Sequence, residues 1–415
     1  MNALSEVLAP MKLTQRRTPA SRELFMRVFI VHNQYQHRGG EDVVVEDETR
    51  LLRAAGHAVE TFIVSNDSIV SFADKVGTVL RALDNIAITR ELDNALASFL
   101  PDVVHFHNVF PRLTPGAILC SLKRGYPTVQ TLHNYRHICA EAAFLRNDQI
   151  CQSCLGTRWR LPALQHRCYR GSLAGTYSVI RIGKRVRYLF DTYPRHFTLI
   201  ALTNFARAKM QKDGFAGERI FVKGNSSPDP GSSPEQRDKR IIFLGRLNHE
   251  KGADLLVQAA PHIDAIVEII GDGPERASLM AAAPANVKFR GQLGRDGVIE
   301  ALKRATAIAV PSRWFESCPM VVLEAFSTAT PVVAPSIGPL AELIEHERSG
   351  VVVENHTVSS WINALQGLTD NPQRARKLGL GARAAYEARF SEARNLERLT
   401  GIYEAAIRQA VLSTR

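Results

Sequence analysis

Short apolar runs rich in β-branched residues recur along the chain, separated by stretches with helical spacing. Residues 26–32 (MRVFIVH) predict a buried strand. A polar loop, 34–40, follows and closes in Gly39-Gly40, and 41–56 has helical spacing that ends at a glycine. Further strands are predicted at 58–64, 102–107, 127–133 and 197–202, with a helical stretch between the two at 102–107 and 127–133. This alternation predicts a parallel sheet with helices on both faces. Asn225-Ser-Ser-Pro-Asp-Pro-Gly-Ser-Ser-Pro234 breaks the pattern and reads as a linker. The alternation then restarts, with strands expected at 241–245, 266–271, 287–291, 307–311, 331–335 and 350–353. The last segment, 391–415, predicts one helix with Leu396, Leu399, Ile402, Tyr403, Ala406 and Ile407 on one face.

The pattern therefore divides the chain into a tail (1–25), a first Rossmann-like domain (26–224), a linker (225–237), a second Rossmann-like domain (238–390) and a closing helix (391–415). Two domains agree with 415 residues at roughly 100–200 residues each. Ligands bind such sheets outside the carboxyl ends of the strands, so two of them face to face place a ligand in the cleft between. With 45% hydrophobic and 22% charged residues, intrinsic disorder is excluded for most of the chain. No apolar run reaches the ~18–20 residues of a membrane span, and residues 1–24 lack the apolar core of a secretory signal. The expectation is a cytoplasmic protein, with either Met1 or Met26 as its functional start.

Charge is uneven. Of a net +11, residues 1–235 supply 30 Lys and Arg against 21 Asp and Glu. Between Leu155 and Phe190 there are eight basic residues and no acidic one. Such a surface attracts phosphates, whether of nucleic acid, anionic lipid or substrate, although a solvated helix face is the plain alternative.

Three loops carry candidate chemistry. Gly245-Arg-Leu-Asn-His-Glu-Lys-Gly252 follows a predicted strand and precedes a helix, so Arg246, Lys251 and backbone N–H groups suit a diphosphate. Gly271-Asp-Gly-Pro274 repeats that placement, with proline near the first helical position. Glu316 and Glu324 stand eight apart around Pro319, where a helical rise of ~12 Å would let two carboxylates hold the hydroxyl-bearing ends of one extended ligand.

In this order, GRLNHEKG, GDGPER and VPSRWFESCPMVVLEAFSTATPVVAPSIGPLAELI resemble the nucleotide-binding half of retaining GT-B glycosyltransferases, specifically glycosyltransferase family 4. The resemblance covers 238–390 and continues in the first half through HRGGED, DVVHFHN and PTVQTLHNY. It implies a GT-B fold and transfer of a sugar from a UDP- or GDP-linked donor to an acceptor hydroxyl with retention of configuration. Cell-surface polysaccharide or lipid-linked acceptors would fit, with contact at an anionic membrane. Arg246 and Lys251 would hold the donor diphosphate. Glu316 would contact the sugar and Glu324 the ribose. Gly39 and Gly40 would let the first domain approach the donor, and His133 would line the site near the transferred sugar. His107 is a weaker candidate, equally readable as a core histidine. No Asp-x-Asp occurs, so a catalytic metal is not expected.

Cys139, Cys151, Cys154 and Cys168 fall in an insertion at about 134–175. A C-x2-C flanked by two single cysteines can close a structural zinc site, and reduced thiols packed in a loop are the alternative. Two other classes compete with the enzyme. A nucleic-acid-binding zinc protein would explain the charge, but no established nucleic-acid motif is present, so no nucleic-acid partner is expected. A catalytically inactive GT-B sugar-binding subunit would need a defective donor site, and none is visible. A sugar epimerase of the same fold is disfavoured by the ordered Arg, Lys and two Glu.

Overall fold

A computed structural model describes residues 25–36, 39–67, 72–231 and 233–412. The expected N-terminal tail lies almost wholly outside these residues, as do His37 and Arg38. The first domain contains β1 (Arg27–Gln34), β2 (Ala58–Ser65), β3 (Val103–Phe106), β4 (Thr128–Leu132), a small hairpin of β5 (Leu145–Arg146) and β6 (Gln149–Ile150), β7 (Phe197–Ala201) and β8 (Ile220–Val222). The second contains β9 (Asp238–Leu244), β10 (Ile266–Ile270), β11 (Val287–Gly291), β12 (Ala305–Ala309), β13 (Val332–Pro335) and β14 (Gly350–Val353).

Each domain is built on a six-stranded sheet, ordered β2-β1-β3-β4-β7-β8 and β11-β10-β9-β12-β13-β14. Every pair within both sheets is parallel. Helices cover both faces, which is why central strand β1 is apolar at consecutive positions, Val28 to Val31 all being buried. The strand order reverses beside β1 in one sheet and beside β9 in the other. Each sheet therefore has a switch point where loops diverge and leave a crevice.

The 225–237 segment has no helix or strand, but it is packed rather than loose. Ser227 N–H donates to Phe390 O at 3.1 Å, and Tyr386 Oη donates to Ser227 O at 2.9 Å. Arg383 pairs with Asp229 at 2.6 Å. The last helix, Glu392–Val411, crosses from the second domain onto the first sheet. Its Leu399, Ile402, Tyr403 and Ala406 join Met26, Val28, Ile30, Val103, Val129 and Ile200 in one apolar cluster.

Some elements differ from expectation. β8 and the β5–β6 hairpin were not anticipated. Pro274 stands in a turn, because the following helix is Arg276–Ala282. The helix after Pro319 is Met320–Ser327, so only the second half of the Glu316–Glu324 spacing is helical and the full ~12 Å rise does not apply.

Candidate active site

The loops at the carboxyl ends of β9 and β12 are tied together. Arg313 N–H donates to Glu250 O at 2.9 Å, and the Arg313 guanidinium grips both Asp254 carboxylate oxygens at 2.7 Å. Gly252 allows the approach. Its φ is +72°, and a Cβ there would lie 2.1 Å from Pro311 O, so only glycine fits.

This brace brings Lys251 to Glu316. Lys251 Nζ, Ser312 Oγ and Trp314 Nε1 all donate to Glu316 Oε1, at 2.6, 2.8 and 2.8 Å. Glu316 is only 6% exposed. Burial pushes its carboxyl pKa up, but the Lys251 ammonium and then the hydrogen bonds outweigh burial, leaving it below the ordinary carboxylate value. Oε2 carries none of these bonds, so it keeps its lone pairs for another donor. Arg246 is exposed at the end of β9, with no ion pair among the described residues. Glu324 lies on the Met320–Ser327 helix, part-buried, and burial raises its pKa against the pull of Arg295.

The first domain meets these loops through three segments. Gly39 N–H donates to Asp42 Oδ2 at 2.7 Å, and Asp42 Oδ1 holds His32 Nε2 at 2.8 Å, which anchors the start of the Gly40–Ala54 helix. A Cβ on Gly40 would sit 3.6 Å from Met320 Cγ, so the glycine loop reaches the second domain. Tyr135 Oη lies 3.5 Å from Glu316 O, and Phe144 packs on Phe315 with ring centroids 5.9 Å apart.

His133, just beyond β4, borders a small cavity with Glu41, Arg136 and His137. Glu41 was missed in the sequence. It follows Gly40 directly, accepts from Asn134 Nδ2 at 3.0 Å, and its second oxygen is buried. Burial raises its pKa, and Asn134 and Arg136 oppose that. An acid beside the glycine pair was the available signal.

Below His133 runs a buried polar column. His107 Nδ1 lies 2.9 Å from His133 Nε2, and His107 Nε2 faces Glu48 Oε2 at 3.6 Å. Glu48 Oε1 accepts from Lys223 Nζ at 2.6 Å. His105 bonds Tyr403 Oη at 2.7 Å and Thr131 Oγ1 at 2.8 Å. Glu48, His105 and His107 form the one metal-sized cluster among the described residues. The donor set does not suit a cation: both His105 nitrogens are hydrogen-bonded, and the Lys223 ammonium already neutralises Glu48. Burial, then the nearby His32 and Lys223 charges, push the His133 pKa down to about 3. His105 and His107 are also held well below the ordinary imidazole value, burial first.

These neutral histidines make the fold acid-sensitive. The unfolded chain takes up protons near pH 6.5 that the folded chain refuses, so their stabilisation is complete above pH 6.5 and is lost as pH falls towards their folded values. For His133 alone this is about 1.4 kcal/mol at pH 5.5, and His105 and His107 act in the same direction. The urea midpoint is expected to drop between pH 7.5 and 5.5, with a shallower drop in His107→Asn. Equal slopes in the two proteins would count against it.

The four insertion cysteines line one cavity some distance along the same segment, together with Phe144 and Arg146.

Two Rossmann-like domains that meet at the carboxyl ends of their parallel strands are the GT-B class of fold. Solved GT-B structures superpose on most of the chain. The Anabaena protein HepE in complex with UDP-glucose aligns with a TM-score of 0.67 at 15% identity, covering 92% of this chain and 100% of that one. The lipopolysaccharide outer core galactosyltransferase WaaB aligns at 0.60 and 16%, covering 94% and 100%. The family profile described as Glycosyltransferase Family 4 matches residues 38–225, and that described as Glycosyl transferases group 1 matches 228–385. Each profile matches less than half of the 415 residues, and together they run through both domains. A D-inositol 3-phosphate glycosyltransferase of Mycolicibacterium paratuberculosis is 30% identical over 43% of each chain, so that match spans less than half the relative's length. D-inositol 3-phosphate glycosyltransferase 1 of Catenulispora acidiphila is 26% identical over 89% of this chain and 91% of its own.

Proposed function

We propose that the protein transfers a sugar from a nucleoside-diphosphate sugar, UDP- or GDP-linked, to an acceptor hydroxyl with retention of configuration and without a catalytic metal. The observation that carries this reading is Lys251 held 2.6 Å from the buried Glu316 at the second sheet's switch point, with the exposed Arg246 five residues earlier on the same loop. A donor diphosphate would draw both cations, and Glu316 Oε2 would accept from a sugar hydroxyl. Arg246 and Lys251 would stabilise charge on the departing diphosphate as the glycosidic bond breaks. Glu324, on the helix behind, is the candidate for the ribose. His133 stays neutral and serves by hydrogen bonding, while the leaving phosphate takes the acceptor proton. HepE and TarM are described in complexes containing UDP, which favours testing a uridine donor first.

The test is nucleoside-diphosphate release across UDP-, GDP- and ADP-sugars, in chelator, with the product anomer read by NMR. Turnover of one donor with retained configuration is expected. No turnover together with no nucleoside-diphosphate binding in calorimetry would overturn the reading.

For the acceptor we favour a polysaccharide or lipid-linked molecule met at an anionic membrane surface. No helix among the described residues is long and apolar enough to cross a membrane. The support for surface contact is a basic, aromatic face on the Leu173–Thr192 helix and the loop before it. Trp159, Tyr177 and Tyr188 are more than half exposed there. Lys184 lies over Trp159 at 4.6 Å, Arg181 over Tyr177 at 5.7 Å and Arg185 over Tyr188 at 5.1 Å. Rings and cations of this kind partition to bilayer interfaces, where each cation contributes about 1 kcal/mol. Salt-sensitive co-sedimentation with anionic vesicles is expected, and reversing Arg181, Lys184 and Arg185 to Glu should abolish it. Equal pelleting with neutral vesicles would sink the idea.

A further inference from the structure

We propose that Cys139, Cys151, Cys154 and Cys168 form a tetrathiolate zinc site that holds the insertion against the donor loop. All four line one cavity, although they come from three separate stretches of chain: Cys139, the Cys151–Cys154 pair and Cys168.

Three features of that cavity suit a metal-bound thiolate set. The Cys151 thiol donates to Ser153 Oγ at 3.5 Å, within the C-x2-C stretch. A hydroxyl at that distance can turn to donate to the sulfur once a metal has displaced the thiol proton. Arg146, on the cavity wall, would offset one of the two negative charges of a zinc tetrathiolate. The segment also has little regular structure, being tied to the first domain by the buried Arg160–Asp213 pair at 2.7 Å and a small apolar cluster. Between Cys139 and Arg170 its regular structure is a pair of two-residue strands and the five-residue helix Leu161–Gln165. Ala142, Phe144, Asn147, Asp148, Arg160, Arg167 and Arg170 all adopt positive φ, a disfavoured conformation for these residues. A backbone this irregular needs a local cross-link that a few apolar side chains do not supply.

The sulfurs stand wider than in a loaded site. No three of them come within 4.8 Å of one another, whereas zinc–sulfur bonds of ~2.3 Å bring all four closer than this. Loading therefore draws the turns inward. The segment's first part bears Tyr135 and Phe144, which touch Glu316 and Phe315, so the metal would set the wall of the donor site without entering the chemistry.

The test uses the full chain purified under reducing conditions. About one zinc per chain is expected by elemental analysis, released by a mercurial only as four thiols are titrated. Cobalt exchanged for zinc should give the absorption of a tetrahedral cobalt tetrathiolate. Single Cys→Ser variants at each of the four positions should lower the stoichiometry, while Cys120→Ser should not. A metal-free protein that gives no cobalt spectrum would overturn the proposal, as would zinc retained in all four variants or a disulfide between any two of the cysteines. Should a variant fail to fold, the wild-type cobalt spectrum and thiol count decide the matter alone. None of these readouts depends on glycosyl transfer, so failure here leaves the donor-site reading standing.

Discussion

Lys251→Ala is expected to lower kcat/KM for the donor by about 10³-fold, equivalent to ~4 kcal/mol of lost transition-state stabilisation. The reasoning is electrostatic. The ammonium stands where negative charge would grow on the leaving diphosphate, in a part-buried loop where water screens it poorly. Because Glu316 already orients the ammonium at 2.6 Å, little reorganisation is needed during reaction. Glu316→Gln keeps the side chain's shape and its contact with Ser312, but weakens the hold on Lys251 and the acceptor strength of Oε2. Its expected loss is about 10²-fold. Steady-state kinetics with the competent donor checks both. Thermal melts serve as the control, since Lys251→Ala also leaves a buried carboxylate with one partner fewer. A tenfold loss or less in Lys251→Ala, with donor affinity unchanged by calorimetry, would remove the diphosphate role.

Lys223→Met should cost about 3–5 kcal/mol of folding stability, because it strands a buried carboxylate. Lys223 is 1% and Glu48 2% exposed. The ammonium sits 2.6 Å from Glu48 Oε1 and 3.4 Å from Asn395 Oδ1. The three residues lie just after β8, on the Gly40–Ala54 helix and on the final helix, so the pair joins three elements distant in sequence. Paired removal, Glu48→Gln with Lys223→Met, should restore most of the loss, since the penalty belongs to the unpaired charge. Urea denaturation of the two single variants and the double variant checks this. Additive losses in the double variant would show that the two charges are not coupled.

The local patterns that could be read in the sequence are those whose physics is local. Val28 to Val31 announce a strand buried on both faces because a central strand covered by helices on either side is apolar at consecutive positions. Gly252 marks a tight approach because no other residue tolerates its φ beside Pro311 O. By contrast, β8 is only three residues long and lies at a sheet edge, too short to show periodicity. The Lys223–Glu48 pair spans 175 positions, and nothing in either residue's neighbourhood names the other. The His133–His107–Glu48 column is similarly invisible. Its two histidines lie just past the ends of adjacent strands, and Glu48 is brought to them by the turn of a helix.

By itself, the sequence determined that strands alternate with helices, that the alternation occurs twice, and that glycine, arginine, lysine and glutamate fall on loops at strand ends. Periodicity and turn chemistry act over a few residues, so they survive in one dimension. Only the tertiary structure decided that Lys251 meets Glu316, that Gly40 reaches Met320, that the last helix returns to the first sheet, and that four cysteines surround one cavity. Those are partnerships between distant segments. They follow from how two parallel sheets order their strands and bring their carboxyl ends together, and no local propensity encodes that.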